Sequence, residues 1–207
     1  GFGYPLGIDL PGEKRGMIPN DKYYDKNYNG SWNGLTIISI AIGQGEVTAT
    51  PLQMANLGAT IANRGYFITP HVVKEVEDEA LDSLYTTKRY TKVREEHYET
   101  VVQGMRAAVT GGTCRAANLP GLDVCGKTGT AQNRGKDHSA FMGFAPMNNP
   151  KIAVAVYVEN GGWGATYGVP IGALIMEKYL NGELSAQSEL KAQDIQMRRI
   201  DYGVHER

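Results

Sequence analysis

An excess of charge of either sign is missing from this sequence: 21 Lys and Arg stand against 22 Asp and Glu over 207 residues. With no surplus of cations to displace phosphate counterions, nucleic acid is a poor natural partner. Long apolar runs are missing too. The longest apolar-leaning segments, 35–42 and 152–158, are strand-sized and far short of the roughly 20 residues that span a bilayer. No basic-plus-apolar leader stands at the front. Gly1-Phe2-Gly3-Tyr4-Pro5 carries neither an initiator Met nor a capping signal, so the numbering is expected to begin inside a longer protein. Cysteine is scarce: Cys114 and Cys125 are the two in the chain. No His lies near either at ligand spacing, which disfavours zinc. Two readings of the pair stay open, two separate small buried residues or a disulfide in an oxidising compartment.

What is present is ordinary globular material. A hydrophobic share of 42% with 21% charged residues suits a packed domain, and the length allows one core with room for a tail. Residues 1–34 are rich in Gly, Pro, Asn and Tyr, with Pro11-Gly12 and Asn29-Gly30 as turn signals. Residues 35–42 read as a buried element of undetermined type. Thr50-Pro51 with Gln53 three residues after Thr50 is a capping box with proline at the first helical position. Leu52, Ala55, Ala59 and Ala62 would form the apolar face of that helix, and Gly65 would close it. Residues 66–76 read as extended around Pro70, and 77–94 carry no period. A second amphipathic helix is expected over 95–109, with Tyr98, Val101, Val102, Met105 and Val109 as its stripe and Gly111-Gly112 ending it.

After Pro120 the period becomes that of sheet. Strands are expected over 122–132, 139–145 and 152–158, with Pro146-Met147-Asn148-Asn149-Pro150 as a turn. Short connections predict an antiparallel meander. Gly161-Gly162-Trp163-Gly164 leads to a last helix over 170–180, ended by Gly182. The fold class is α+β, an antiparallel sheet with packed helices. Residues 1–182 form the body, and the polar tail 183–207 is expected to drape over the surface or to lack structure.

The informative run is Lys127-Thr128-Gly129-Thr130 inside a strand. Lys-Thr-Gly accompanies Ser-x-x-K and a Ser-x-Asn-type motif in active-site serine enzymes that recognise penicillin. Its chemistry suits a carboxylate: a cation neutralises it, and hydroxyls hydrogen-bond it. A Gly lets a peptide lie against the strand. Period 2 puts Thr128 and Thr130 on one face. Alone, the tripeptide is a weak signal, equally a strand Lys with a solvated head.

The flanking text makes it specific. Gly1-Phe2-Gly3 with Gly7-Ile8-Asp9-Leu10-Pro11-Gly12-Glu13, then Ile42-Gly43-Gln44-Gly45-Glu46 and Thr50-Pro51-Leu52-Gln53-Met54-Ala55, resemble the class B penicillin-binding proteins, the elongation-type members above all. Gly126 to Gln132, His138-Ser139-Ala140-Phe141 and Gly143-Phe144-Ala145-Pro146 continue the likeness in family order, to about residue 182. The resemblance implies an incomplete penicillin-binding/β-lactamase-like transpeptidase domain. It further implies a D,D-transpeptidase that cross-links peptidoglycan stem peptides ending in D-Ala-D-Ala and is acylated by β-lactams. In that scheme Lys127 sits in the cleft, and Thr128 and Thr130 hydrogen-bond the substrate carboxylate beside Gly129. The Thr130 backbone N–H serves the oxyanion hole. No metal or cofactor is called for, because serine acyl transfer needs none. The implied partner is the membrane glycan polymerase of the elongation machinery, and the implied location is the periplasmic or extracytoplasmic side of the cytoplasmic membrane, with the anchor elsewhere in the parent.

The nucleophile is expected upstream of residue 1, since both serine motifs precede the Gly-Phe-Gly block in the family. Ser188-Glu189-Leu190-Lys191 and Ser31-Trp32-Asn33 match the motif patterns but stand in the wrong order, so both read as chance matches. His138 and Ser139 are adjacent in a strand and would point to opposite faces. The chain alone is therefore expected to be inactive and to self-associate through an exposed sheet edge. Two alternatives stay open, a related serine hydrolase (β-lactamase or D,D-carboxypeptidase) and a non-catalytic binder of β-lactams or stem peptides.

Overall fold

The change of period after Pro120 is realised as a three-stranded antiparallel meander in the computed structural model, which describes residues 1–200. The helices, in chain order, are α1 (Asp21–Tyr28), α2 (Gly34–Ala41), α3 (Pro51–Ala62), α4 (Glu96–Thr110), α5 (Gly168–Asn181) and α6 (Ala186–Met197). The strands are β1 (Tyr66–Phe67), β2 (Arg89–Tyr90), β3 (Cys125–Ala131), β4 (His138–Ala145) and β5 (Ile152–Val158). The mixture of helices with antiparallel sheet is the α+β class expected from the sequence. The chain divides into two compact units, one of Gly1–Gln53 with Ile68–Thr87, the other of Met54–Phe67 with the described residues from Lys88 onward.

The second unit holds the sheet in the order β3-β4-β5, so among the described residues β3 and β5 are its edges. One face carries Cys125, Met142 and Phe144, packed with Ile61 and Ala62 of α3 and Tyr98, Val102 and Met105 of α4. The other carries Phe141 and Val154, packed with Val169, Ala173 and Met176 of α5 and with Val109, Cys114 and Leu122. Cys114 and Cys125 thus lie in different clusters, both buried and both free. The α4 stripe buries Tyr98, Val102, Met105 and Val109 as its period predicts, while Val101 stays exposed. Gly182 ends α5 in the left-handed region, where a residue without Cβ is least strained.

The polar stretch after 182 contains α6, capped by the Ser185 side chain on the Ser188 N–H. It is docked on α5 through buried Glu177, whose Oε1 accepts the Ser185 N–H at 3.2 Å. Burial pulls the Glu177 carboxyl upward, but hydrogen bonds from Ser188 and Ser185 and the Lys191 charge outweigh it and leave it below its ordinary value. The expectation for 201–207 lies outside the described residues.

Two expectations are corrected for α2 and α3. Residues 35–42 are not a buried element: α2 buries none of its residues, and Leu35, Ile37, Ile38 and Ile42 are exposed. At the start of α3 the capping box forms as predicted, with Thr50 N–H to Gln53 Oε1 at 2.9 Å and Gln53 N–H to Thr50 Oγ1 at 3.1 Å. The buried face of α3, however, is polar at this end. Gln53, not Leu52, is buried, because its amide donates to the carbonyls of Gly1, Tyr4 and Arg15 and ties the irregular N-terminal segment together. Farther along, Ala62 is buried as expected, while Asn56, Thr60 and Ile61 are buried in place of Ala55 and Ala59. The Glu13 carboxylate likewise accepts backbone N–H groups of Leu6, Gly7 and Ile8.

Candidate active site

Lys127, Thr128, Gly129 and Thr130 lie in β3 opposite Met142, Phe141, Ala140 and Ser139 of β4. Gly126, one residue earlier, is required by packing: a Cβ there would come within 2.5 Å of the Phe141 ring. Strand alternation sends Thr128 and Thr130 to the side of Phe141 and Ser139, and Lys127 to the side of Met142. The two threonines share a face, as their spacing predicts.

The exposed Lys127 ammonium donates to the Thr128 carbonyl at 2.8 Å. Thr128 Oγ1 lies 2.8 Å from Thr113 Oγ1, in the turn after α4. Thr130 Oγ1 accepts a long hydrogen bond, 3.4 Å, from the Gly164 N–H. Behind the strand, burial pushes the Cys114 thiol up, against the opposing pull of the Thr113 side chain, the Thr128 backbone and the Lys127 charge. Burial also pushes the Cys125 thiol up to about 11. Neither thiol is appreciably ionised at neutral pH, so neither is an activated nucleophile.

The structure adds residues that the sequence reading did not connect to the motif. Buried Ser139 shares its hydroxyl proton between the carbonyls of Trp163 at 2.8 Å and Gly164 at 3.2 Å, and accepts the Gly168 N–H at 3.0 Å. Gly164 packs so closely on the strand that a Cβ there would meet the Gly129 carbonyl at 2.5 Å and the Ala140 carbonyl at 2.6 Å. The Gly-Gly-Trp-Gly run was the available signal for this backbone approach. Thr113 had none.

The two out-of-order motif matches have structural occupations. Asn33 caps α2, its side chain accepting the Leu35 N–H at 2.9 Å in a capping box with Thr36. Ser188 is buried in α6, and with Lys191 it acts on Glu177. His138 and Ser139 do diverge: His138 stacks on Tyr157 and accepts the Asn160 N–H at 2.9 Å, away from the Ser139 cluster. Among the described residues no group of three or more His, Cys, Asp or Glu could hold a metal ion, and no helix is long and apolar enough to cross a membrane.

Comparison with known proteins shows the family. The family described as penicillin binding protein transpeptidase domain matches residues 1–179. The peptidoglycan D,D-transpeptidase MrdA of Acinetobacter baumannii is 35% identical over 193 residues, covering 80% of this chain and 28% of its own length. MrdA of Haemophilus influenzae is 34% identical over 206 residues, covering 89% of this chain and 32% of its own. The crystal structure of Pseudomonas aeruginosa penicillin-binding protein 2 (PBP2) in complex with WCK 5153 superposes with a TM-score of 0.74 at 36% identity, covering 90% of this chain and 42% of that one. A complex between PBP2 and MreC from Helicobacter pylori gives a TM-score of 0.75 at 27% identity, with 89% and 34% covered. The chain spans about a third or less of the curated relatives it matches. Carrying the Lys-Thr-Gly strand in this sheet and matching the family over most of its length, the chain belongs to the penicillin-binding-protein transpeptidase domain family.

Proposed function

We propose that the chain is the C-terminal part of a peptidoglycan D,D-transpeptidase domain, contributing its substrate-binding strand while the nucleophilic serine lies upstream. The observation that carries this reading is the Lys127–Thr130 motif on an edge strand, in a chain whose relatives include named D,D-transpeptidases. In the parent, the serine hydroxyl adds to the carbonyl of the D-Ala-D-Ala bond. The C–N bond breaks, and the terminal D-Ala leaves with the proton given up by the hydroxyl. An amine of a neighbouring stem then attacks the acyl-enzyme ester, and a proton returns to the serine oxygen. β-Lactams enter at the first step and stop there.

On this reading Lys127 supplies positive charge to the cleft, and Thr128 and Thr130 hydrogen-bond the substrate carboxylate, the Thr113–Thr128 contact being shared or exchanged on binding. Gly129 leaves room for the peptide. The Thr130 backbone N–H is one of the two oxyanion-hole donors, a kind of contact worth about 3 kcal/mol in the transition state. The parent works at the periplasmic or extracytoplasmic face of the membrane, held by an anchor outside this chain. It is paired with the glycan polymerase of the elongation machinery. The MreC complex of the H. pylori relative supports a partner of that machinery. The chain by itself is inactive, and it self-associates through its open sheet edges.

Intact-mass measurement after incubation with excess penicillin tests the reading. This chain should gain no mass, and a longer chain including the upstream region should gain one acyl adduct. An adduct on residues 1–207 would place the nucleophile inside this chain and overturn the proposed motif order. A longer chain that binds penicillin without acylation would favour the non-catalytic binder. Acylation followed by rapid return of free enzyme would favour the β-lactamase or carboxypeptidase alternative.

A further inference from the structure

The loop 161–168 is held from two sides. On the strand side, Ser139 binds Trp163, Gly164 and Gly168, the Gly162 N–H donates to the Asp137 carbonyl at 2.8 Å, and the Gly164 N–H donates to Thr130 Oγ1. On the other side stands the segment that follows α6, where Arg199 and Ile200 border the same pocket as Trp163, Thr166 and Tyr167 and Arg198 makes the directed contacts. Arg198 Nη1 donates to the Thr166 carbonyl at 3.0 Å, and its guanidinium lies over the Tyr167 ring at 5.5 Å. The same guanidinium is aimed by Asp194, one turn back in α6, through Nε at 3.0 Å and Nη2 at 2.6 Å. A planar fork that binds a carboxylate and still reaches a carbonyl is particular to Arg. α6 in turn is fixed to α5 through Glu177.

We propose that Arg198 is a positioning residue: the C-terminal segment clamps the loop 161–168 against β3 and so holds Thr130 where the substrate carboxylate and the developing oxyanion require it. This rests on reading β3 as the substrate strand. The physical ground is the closeness of the contact. The Gly164 backbone lies too near the Gly129 and Ala140 carbonyls to leave room for a side chain, and its N–H is bonded to Thr130, so a displacement of the loop alters its contact with the strand. Arg198 links the end of α6 to that loop by a hydrogen bond, acting on Thr166 two residues beyond Gly164. Oxyanion donors and carboxylate ligands act through fixed geometry, so a small shift at Thr130 costs rate without abolishing binding.

Two measurements test this, the first independent of activity. Amide hydrogen exchange on the 207-residue chain should show Gly164 and Gly168 exchanging on the order of 10-fold faster in Arg198→Ala, with the amides in the middle of the central strand β4 unchanged. The second uses the full-length parent with a fluorescent penicillin, separating the pre-covalent dissociation constant from the acylation rate constant. Arg198→Ala should lower the acylation rate constant roughly 3- to 10-fold, below the ~100-fold that a 1 Å misplacement can cost. The dissociation constant should stay within about 2-fold, since ground-state binding is spread over more contacts than the oxyanion donor. Arg198→Lys should recover part of the rate, because it keeps a donor for Thr166 without the fork to Asp194. Unchanged exchange at Gly164 would overturn the clamp. An unchanged acylation rate constant, or a loss accounted for wholly by fewer titratable active sites, would overturn the positioning role. If the wild-type parent is not acylated at all, the substrate-strand reading fails and the catalytic role falls with it, while exchange still decides the clamp.

Discussion

Ser139→Ala removes one oxygen atom from the point where the loop 161–168 meets β4. The hydroxyl is fully buried. It accepts from the Gly168 N–H and shares its proton between two carbonyls. Deleting it leaves the Gly168 N–H, at a buried position, without that acceptor. A buried unsatisfied donor costs about 1–3 kcal/mol, and losing the donated bond adds about 1 kcal/mol. The added void is that of one oxygen and contributes little beside these. The expected loss is therefore about 2–4 kcal/mol. With a urea slope of about 2 kcal/mol/M, a loss of about 3 kcal/mol moves the midpoint by roughly 1.5 M. Equilibrium urea unfolding followed by far-ultraviolet circular dichroism measures it. Thr130→Val serves as the comparison, since the half-buried Thr130 hydroxyl accepts the Gly164 N–H only at 3.4 Å, and it should cost less than Ser139→Ala. A Ser139→Ala change below about 0.5 kcal/mol, or one no larger than Thr130→Val, would refute the view that the hydroxyl is the hub of this loop.

Three further outcomes are expected. Hydrogen bonds from Tyr28 and Tyr24 outweigh burial and hold the Glu46 carboxyl below its ordinary 4.5. A depressed carboxyl contributes stability that is fully present above the unfolded value and is lost as pH falls through the folded one. Tyrosine fluorescence should therefore report loosening of the first unit below about pH 4.5, and Glu46→Gln should flatten that dependence; an unaltered acid transition in the variant would count against it. Both cysteines are fully buried and free, so an aromatic disulfide reagent should find almost no thiol in the native chain and two equivalents in denaturant, whereas none in denaturant without reductant would indicate a disulfide. Ile38 and Ile42, 61% and 71% exposed, form an uncovered apolar face at α2 that adds to the open sheet edges as an association surface, so Ile38→Glu with Ile42→Glu should lower, without abolishing, self-association in sedimentation velocity; an unchanged distribution would leave association to the sheet edges alone.

The sheet was legible because its signals are local. Glycine and proline punctuate 146–150 and 161–164, β-branched residues fill 152–158, and a change from period 3.6 to period 2 marks where helix gives way to strand. The α4 stripe and the capping box at Thr50 were readable for the same reason. The first unit was less so. An apolar run such as Leu-Thr-Ile-Ile-Ser-Ile-Ala reads as buried by composition, yet burial depends on what stands opposite, and nothing in the described chain covers it. The polar face of α3 was missed because Gln53 is buried by carbonyls from 38 to 52 residues away, a relation no local window contains. Helix α6 was missed because its apolar face is weak and its docking rests on one buried carboxylate of another helix.

By itself the sequence determined the Lys-Thr-Gly motif, its placement in a strand, the common face of Thr128 and Thr130, the order of the meander and the family, all of which are written in short-range pattern and in the order of blocks along the chain. Only the tertiary structure decided what touches that strand: Thr113 on Thr128, Gly164 on Thr130, Ser139 at the hub and Arg198 at the far end of the loop. Those contacts join residues 15 to 34 positions apart. Hydrogen bonds and close packing select partners by position in space, which is set when the chain has folded and not by distance along it.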